Sequence, residues 1–167
     1  MKGKPGCPTV PDTNSARDSV VELLHAEDLH PGEVVPLGSV EVTAEEIIAF
    51  ATTYDPLPIH VDPVAAAAGP FCGVIASAAH TIALYSSLAS RVFVPRLALV
   101  AGKGIDRLRL PHPVRPGATL SATIEVLDVT TTRSDRADLR LRSEMTDQDG
   151  QVVLSFVAVQ VVRRRNS

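Results

Sequence analysis

Apolar and polar positions follow two different rhythms along this chain. Behind Thr43, residues Ile47, Ile48, Phe50, Ala51 and Tyr54 recur at three- and four-residue spacing, which predicts a helix with one buried face. Thr43-Ala44-Glu45-Glu46 gives it a start, with Thr43 capping the first turn and Glu46 reaching back to the Thr43 amide. Pro56 and Pro58 end it, because a residue before proline avoids helical angles. A second helix is predicted from Ser77, a good N-cap, with Ala78, Ile82, Tyr85 and Ala89 on one stripe. Ala79, Ala83, Ser86 and Ser90 lie beside that stripe. So many small side chains allow close approach from several sides, which suits a helix wrapped by a sheet.

After Val92 the period changes to two. Leu120, Ala122, Ile124 and Val126 alternate with polar residues, and so do Leu139, Leu141 and Met145. Both segments read as half-buried strands. Asp149-Gly150 is a hairpin signal. Val152 to Val162 is apolar on both faces, which predicts a central strand. Short connections make these strands antiparallel neighbours. An extended segment is also expected from Glu33 to Val42. The predicted class is α+β: a strand, a helix, a long buried helix, then four or so antiparallel strands.

The charge pattern sharpens the boundaries. Residues 1–31 are rich in Pro, Gly, Ser and Asp and read as a loosely attached extension, with one amphipathic piece from Ala16 to Leu24. The regular domain is expected over 32–163, with 164–167 as a solvated basic tail. No apolar run follows the first residues, so a secretory signal is not supported and a cytoplasmic location is expected. Pro63 to Ser90 carries no Asp, Glu, Lys or Arg. That length raises the question of a membrane. Its Gly, Pro, His80 and five Ser or Thr residues, with Ala dominating, favour a buried segment of a water-soluble fold instead.

With 167 residues and 45% apolar composition, the chain can bury one core. A net charge of −3 argues against nucleic acid or an anionic membrane as partner. Cys7 and Cys72 lack the spacing of a zinc ribbon, a redox motif or a disulfide framework. His60-Val61-Asp62 has no companion cluster, so no metal is expected, and Asp62 reads as a cap beside Pro63. Tyr54 and Tyr85 are expected at the core edge, and His80 as a hydrogen-bonded core histidine.

The segment with the most chemistry is Tyr54-Asp55-Pro56-Leu57-Pro58-Ile59-His60. Its two prolines stiffen the backbone between an Asp and a His. A carboxylate and an imidazole aimed at one water form a general acid/base pair. The longer pattern Asp55-x-x-Pro58-Ile59-His60-x5-Ala66 resembles the signature of the (R)-specific enoyl-CoA hydratases, or MaoC-like dehydratases. Phe71 to Ser77 and Leu108 to Leu120 resemble the family's approach to its long helix and the strand-turn-strand beyond it. The resemblance spans about Gly32 to Arg163.

That resemblance implies the hot-dog fold, an antiparallel sheet wrapped around one long central helix. It implies Asp55 and His60 as the catalytic pair, with Ser77, Ser86 and Leu57 lining the substrate site. The Ala78 amide would hold the thioester oxygen. The family asparagine is Leu57 here, and the family histidine before the helix is Ser77. The implied reaction is reversible hydration of a trans-2-enoyl thioester to the (R)-3-hydroxyacyl thioester. No cofactor is implied beyond the coenzyme A or acyl carrier protein that carries the substrate. Lys103, Arg107, Arg109 and Arg115 could hold coenzyme A phosphates, or could be a solvated strand face. A single hot-dog layer leaves a sheet edge and one side of its helix open, so a homodimer or higher oligomer is expected. A hot-dog thioesterase and a non-catalytic acyl-binding subunit are the competing readings. The lack of Asp or Glu between Pro63 and Ile105 disfavours the former.

Overall fold

A computed structural model describes residues 22–165. Cys7, most of the Ala16 to Leu24 piece and the end of the basic tail lie outside the described residues. Strand β1 (Val34–Val42) leads into helix α1 (Ala44–Tyr54), two short helices α2 (Pro58–Val61) and α3 (Pro63–Ala68), and the long helix α4 (Ala78–Val92). Four strands follow: β2 (Leu99–Arg109), β3 (Ala118–Arg133), β4 (Arg136–Thr146) and β5 (Val152–Arg163). All pair antiparallel in one sheet, in the order β1-β3-β4-β5-β2. The sheet curls around α4 in the hot-dog arrangement.

Alternation builds the core. Leu120, Ala122, Ile124 and Val126 of β3 and Leu139, Leu141 and Met145 of β4 are all buried against the helix layer. Each fully buried Leu or Ile contributes about 1.5–3 kcal/mol. Val152 to Val162 is an interior strand, as its two apolar faces predict. The β4–β5 turn closes on Asp147, whose Oδ1 accepts the Asp149 and Gln151 amides at 3.0 and 2.8 Å. Gly150 there has φ of 76°, a conformation that favours glycine.

Several expectations change. Residues 22–31 are attached rather than loose: Leu24 exchanges hydrogen bonds with Arg96 and Ala98, at 2.7 and 2.8 Å, and Ala26 and Leu29 are buried. Arg164 and Arg165 are not a free tail, because they meet Glu27 and Asp28 at 3.0 and 2.6 Å. Opposite charges close the two ends of the domain on each other. Strand β2 carries no alternation in sequence because it is an edge strand, exposed nearly throughout and interrupted by three register shifts. Helix α4 buries His80, Thr81, Tyr85, Leu88 and Ala89, but Ala79, Ala83, Ser86 and Ser90 stand exposed. One chain thus covers one side of the helix, not several. The uncharged stretch is likewise not buried throughout, with Val64 82% exposed. No helix among the described residues is long and apolar enough to cross a membrane.

Candidate active site

The Thr43 cap forms as its sequence predicts: Thr43 Oγ1 accepts the Glu46 amide at 3.2 Å, and the Thr43 amide donates to Glu46 Oε2 at 3.0 Å. That starts α1 at a defined residue and so sets where it stops. Asp55 is its C-cap, with its amide donating to Ala51 O at 2.8 Å. The Asp55 carbonyl then accepts the Leu57 amide at 2.8 Å. The proline-stiffened segment between Asp55 and His60 is half helical. Pro58 occupies the first position of α2, where its missing N–H costs nothing, and the single turn carries His60. Asp62 caps α3 through bonds from the Val64 and Ala65 amides at 2.9 and 3.0 Å.

This turn is stitched to the segment entering α4. Ile75 N–H donates to Ile59 O at 3.2 Å, and Ala76 N–H donates to Val114 O at 2.9 Å. His60 Nδ1 lies 2.7 Å from the Ile75 carbonyl. A carbonyl only accepts, so neutral His60 carries its proton on Nδ1, and Nε2 is left as a bare acceptor. Nε2 sits 3.8 Å from Asp55 Oδ2, beyond direct hydrogen-bond reach and within reach of a shared water. The His60 side chain is 7% exposed and that of Asp55 35%, so the pair opens towards solvent on the carboxylate side.

His60 lines a cavity of about 250 Å³ together with Ala78, Thr81, Phe71 and the Leu110 to Val114 segment. Ala78 is the first residue of α4. Ser77 Oγ accepts the third free amide of that helix, His80 N–H, at 3.1 Å. The Ala78 and Ala79 amides have no partner within the helix, and they carry the partial positive charge of its N-terminus. An acceptor oxygen placed in the cavity would find donors there.

The structure separates the other residues expected at the site. Ser77 is buried and spends its hydroxyl on capping. Leu57 is 52% exposed and does not line the His60 cavity. Ser86 lines a second cavity, farther along α4. Arg115 braces the loop before α4 by donating to Phe71 O at 2.8 Å, and Lys103 is paired with Asp138. His80 is a core histidine, though its Nδ1 has no partner among the described residues; its ring stacks on Phe50 with centroids 4.6 Å apart. Burial pushes its pKa down from the usual 6.5. Tyr54 is 71% exposed and Tyr85 is buried, so neither sits at the core edge. Thr81 was hidden from sequence reasoning by its ordinary place in a helix. Among the described residues no three His, Cys, Asp or Glu side chains gather as metal ligands.

A family model described as MaoC like domain matches residues 28–148. The chain belongs to the MaoC-like family. It is 39% identical over 92 residues to 3-hydroxyacyl-thioester dehydratase Z of Mycobacterium tuberculosis, covering 54% of this chain and 61% of that protein. The match therefore spans less than two thirds of that curated relative. The fold is similar to the MaoC-like dehydratase from Rhodospirillum rubrum, with TM-score 0.79 and 37% identity over 86% of this chain and 99% of that one. It is also similar to the (R)-hydratase from A. caviae involved in PHA biosynthesis, with TM-score 0.68 and 26% identity over 80% and 97% of the two chains.

Proposed function

We propose that this MaoC-like protein is a hydro-lyase that reversibly hydrates a trans-2-enoyl thioester to the (R)-3-hydroxyacyl thioester. The observation that carries this reading is the 3.8 Å approach of His60 Nε2 to Asp55 Oδ2, beside a cavity that also reaches the N-terminus of α4. Both facing atoms are hydrogen-bond acceptors when Asp55 is ionised. A water held between them directs its two hydrogens at the pair and a lone pair at the substrate. The water oxygen attacks the β-carbon while one of its protons passes to the pair. The pair returns a proton to the α-carbon on the same face, so addition is syn and the overall proton count is unchanged. Negative charge develops meanwhile on the thioester oxygen. The Ala78 N–H and the helix dipole would stabilise it, and removing one such donor typically costs about 3 kcal/mol.

The substrate arrives on coenzyme A or an acyl carrier protein, and the reaction uses no metal or redox cofactor. The protein acts as a homodimer or higher oligomer. The exposed β2 edge and the open small-residue side of α4 support that assembly. Incubation with a ladder of trans-2-enoyl thioesters, with products resolved by chirality, tests the reading. An (R)-3-hydroxyacyl thioester is expected. An (S) product contradicts the geometry, and release of free thiol identifies a thioesterase. Binding without turnover of any member identifies a non-catalytic acyl-binding subunit.

A further inference from the structure

The residues lining the His60 cavity divide by exposure. His60, Ile75, Thr81 and Val114 are buried and belong to its inner wall. Phe71, Leu110 and the Pro111-His112-Pro113 segment are exposed and belong to its mouth, together with Ala78. His112 is the one polar side chain among those exposed lining residues. The acid/base pair and the helix amide account for the hydration chemistry without it, so a second histidine in the same cavity is left over.

His112 is set in place much as His60 is. Its Nδ1 lies 2.9 Å from the Val152 carbonyl, at the start of β5. A carbonyl only accepts, so the neutral ring carries its proton on Nδ1 and leaves Nε2 as an acceptor. No hydrogen bond reaches that Nε2 among the described residues. The backbone beneath the ring is also constrained. Pro111 and Pro113 fix φ on either side of it. The next residue, Val114, accepts the Ala76 amide at 2.9 Å, and Arg115 donates to Phe71 O at 2.8 Å across the mouth. An aimed acceptor on a fixed base, at the open side of the cavity, suits a ligand group that carries an N–H or O–H.

The substrate supplies such a group in a known place. Coenzyme A and an acyl carrier protein are both far larger than a cavity of about 250 Å³, so only the thioester end enters. The thiol arm must leave past the exposed residues. In both carriers that arm is the same near the sulfur, with an amide N–H two carbons away. We propose that His112 reads this arm, its Nε2 accepting a hydrogen bond from that amide, so that the site prefers thioesters of a cysteamine-type thiol. The proposal rests on the enoyl-thioester reading above. The amide takes no part in the reaction, so the bond holds substrate and transition state alike and acts on KM rather than on kcat. His112 determines specificity and is not a catalytic residue.

The test uses the full chain and two trans-2-enoyl thioesters with the same acyl group. One is made on N-acetylcysteamine. The other is made on 2-mercaptoethyl acetate, which has the same shape but an ester oxygen where the amide N–H was. The wild-type kcat/KM should favour the amide member by at least about threefold, because the ester turns a lone pair on Nε2 instead of a donor. His112→Phe keeps a ring and removes the acceptor, and should bring the ratio close to one by raising KM for the amide member. His112→Gln, whose Oε1 accepts, should retain part of the preference and serves if His112→Phe does not fold cooperatively. Equal wild-type kcat/KM for the pair, a ratio that neither variant alters, or a change confined to kcat overturns the proposal. If neither enoyl thioester is turned over, the hydration reading fails. Calorimetric binding of the corresponding saturated pair then decides this proposal separately. A preference for the amide arm that is lost in His112→Phe supports it, and equal affinity overturns it.

Discussion

The two cavities along α4 are built on opposite principles. At the N-terminal end, the polar groups around the reacting atoms are positioned by bonds to the protein. His60 Nδ1 is tied to Ile75 O, the Ser77 hydroxyl holds His80 N–H, and Asp62 caps α3. What remains unpaired is a small, defined set: His60 Nε2, the Asp55 carboxylate and the first amides of the helix. In the middle of the helix, Gln160 Oε1 is buried without a partner among the described residues, beside a chamber lined by apolar side chains, three serines and two glycines. Orientation fixed in advance serves a reaction that must always occur with the same geometry. An acceptor buried without a partner instead carries a desolvation cost that the surrounding fold must offset.

The strongest way to break this contrast is to remove the fixed end. Asp55→Asn and His60→Ala should each lower turnover by about 10²–10⁴-fold, the range for a lost general acid/base group. Because both hold one water, the double variant should lose little more than either single one. Steady-state rates with a substrate from the ladder check this, alongside a thermal melt showing that each variant folds cooperatively. Near-normal rates in both singles would make the motif structural.

The next test separates satisfied from unsatisfied polar groups by stability alone. Tyr85→Phe leaves Ser143 buried without its donor and should cost about 1–3 kcal/mol. Gln160→Met removes an atom that is already unpaired, so it should leave Tm unchanged or raise it. Denaturant titrations should show Tyr85→Phe destabilised and Gln160→Met not, if the comparison holds. Equal destabilisation would mean that Gln160 has a stabilising partner after all.

These two regions also differ in how far the sequence discloses them. The Thr43 cap, α1, the start of α4, the β3–β4 alternation and the two apolar faces of β5 are all written within a few residues of where they act. Asp55 and His60 are legible for the same reason, since only four residues separate them and two prolines stiffen that spacer. Strand β2 is not legible, because an edge strand exposed on both faces has no burial rhythm to impose. The one-turn helix carrying His60 is hidden by prolines that look like a breaker and in fact start a turn. Ser86 falls away from Ala78 because helical distance, not sequence pattern, assigns it to the other cavity. Gln160 was open to discovery: it is the one polar residue among the inward positions of an otherwise apolar run. Reading that run only for its hydrophobicity passes over it.

The smallest expected effect concerns His80, which lies between these extremes. Like His60 it is buried, with both residues 6% exposed. Unlike His60, it has no partner for Nδ1 among the described residues and is held by stacking on Phe50. Burial pushes its pKa below the usual 6.5, while the Glu46 carboxylate opposes the shift in part. The unfolded chain therefore takes up a proton near pH 6.5 that the folded chain resists. The stability His80 contributes is fully present above that pH and is lost as pH falls through the depressed folded value. Melting curves between about pH 7.5 and pH 5 should show a falling Tm. His80→Phe keeps an aromatic ring against Phe50 and removes the titrating group, so its Tm should fall less over the same interval. The difference between the two slopes isolates His80, because the remaining histidines and carboxylates are common to both proteins. Parallel slopes would show that His80 is protonated as easily in the folded chain as in the unfolded one. Burial without a fixed partner would then not distinguish it from an exposed histidine, and the contrast with His60 would rest on the carboxylate alone.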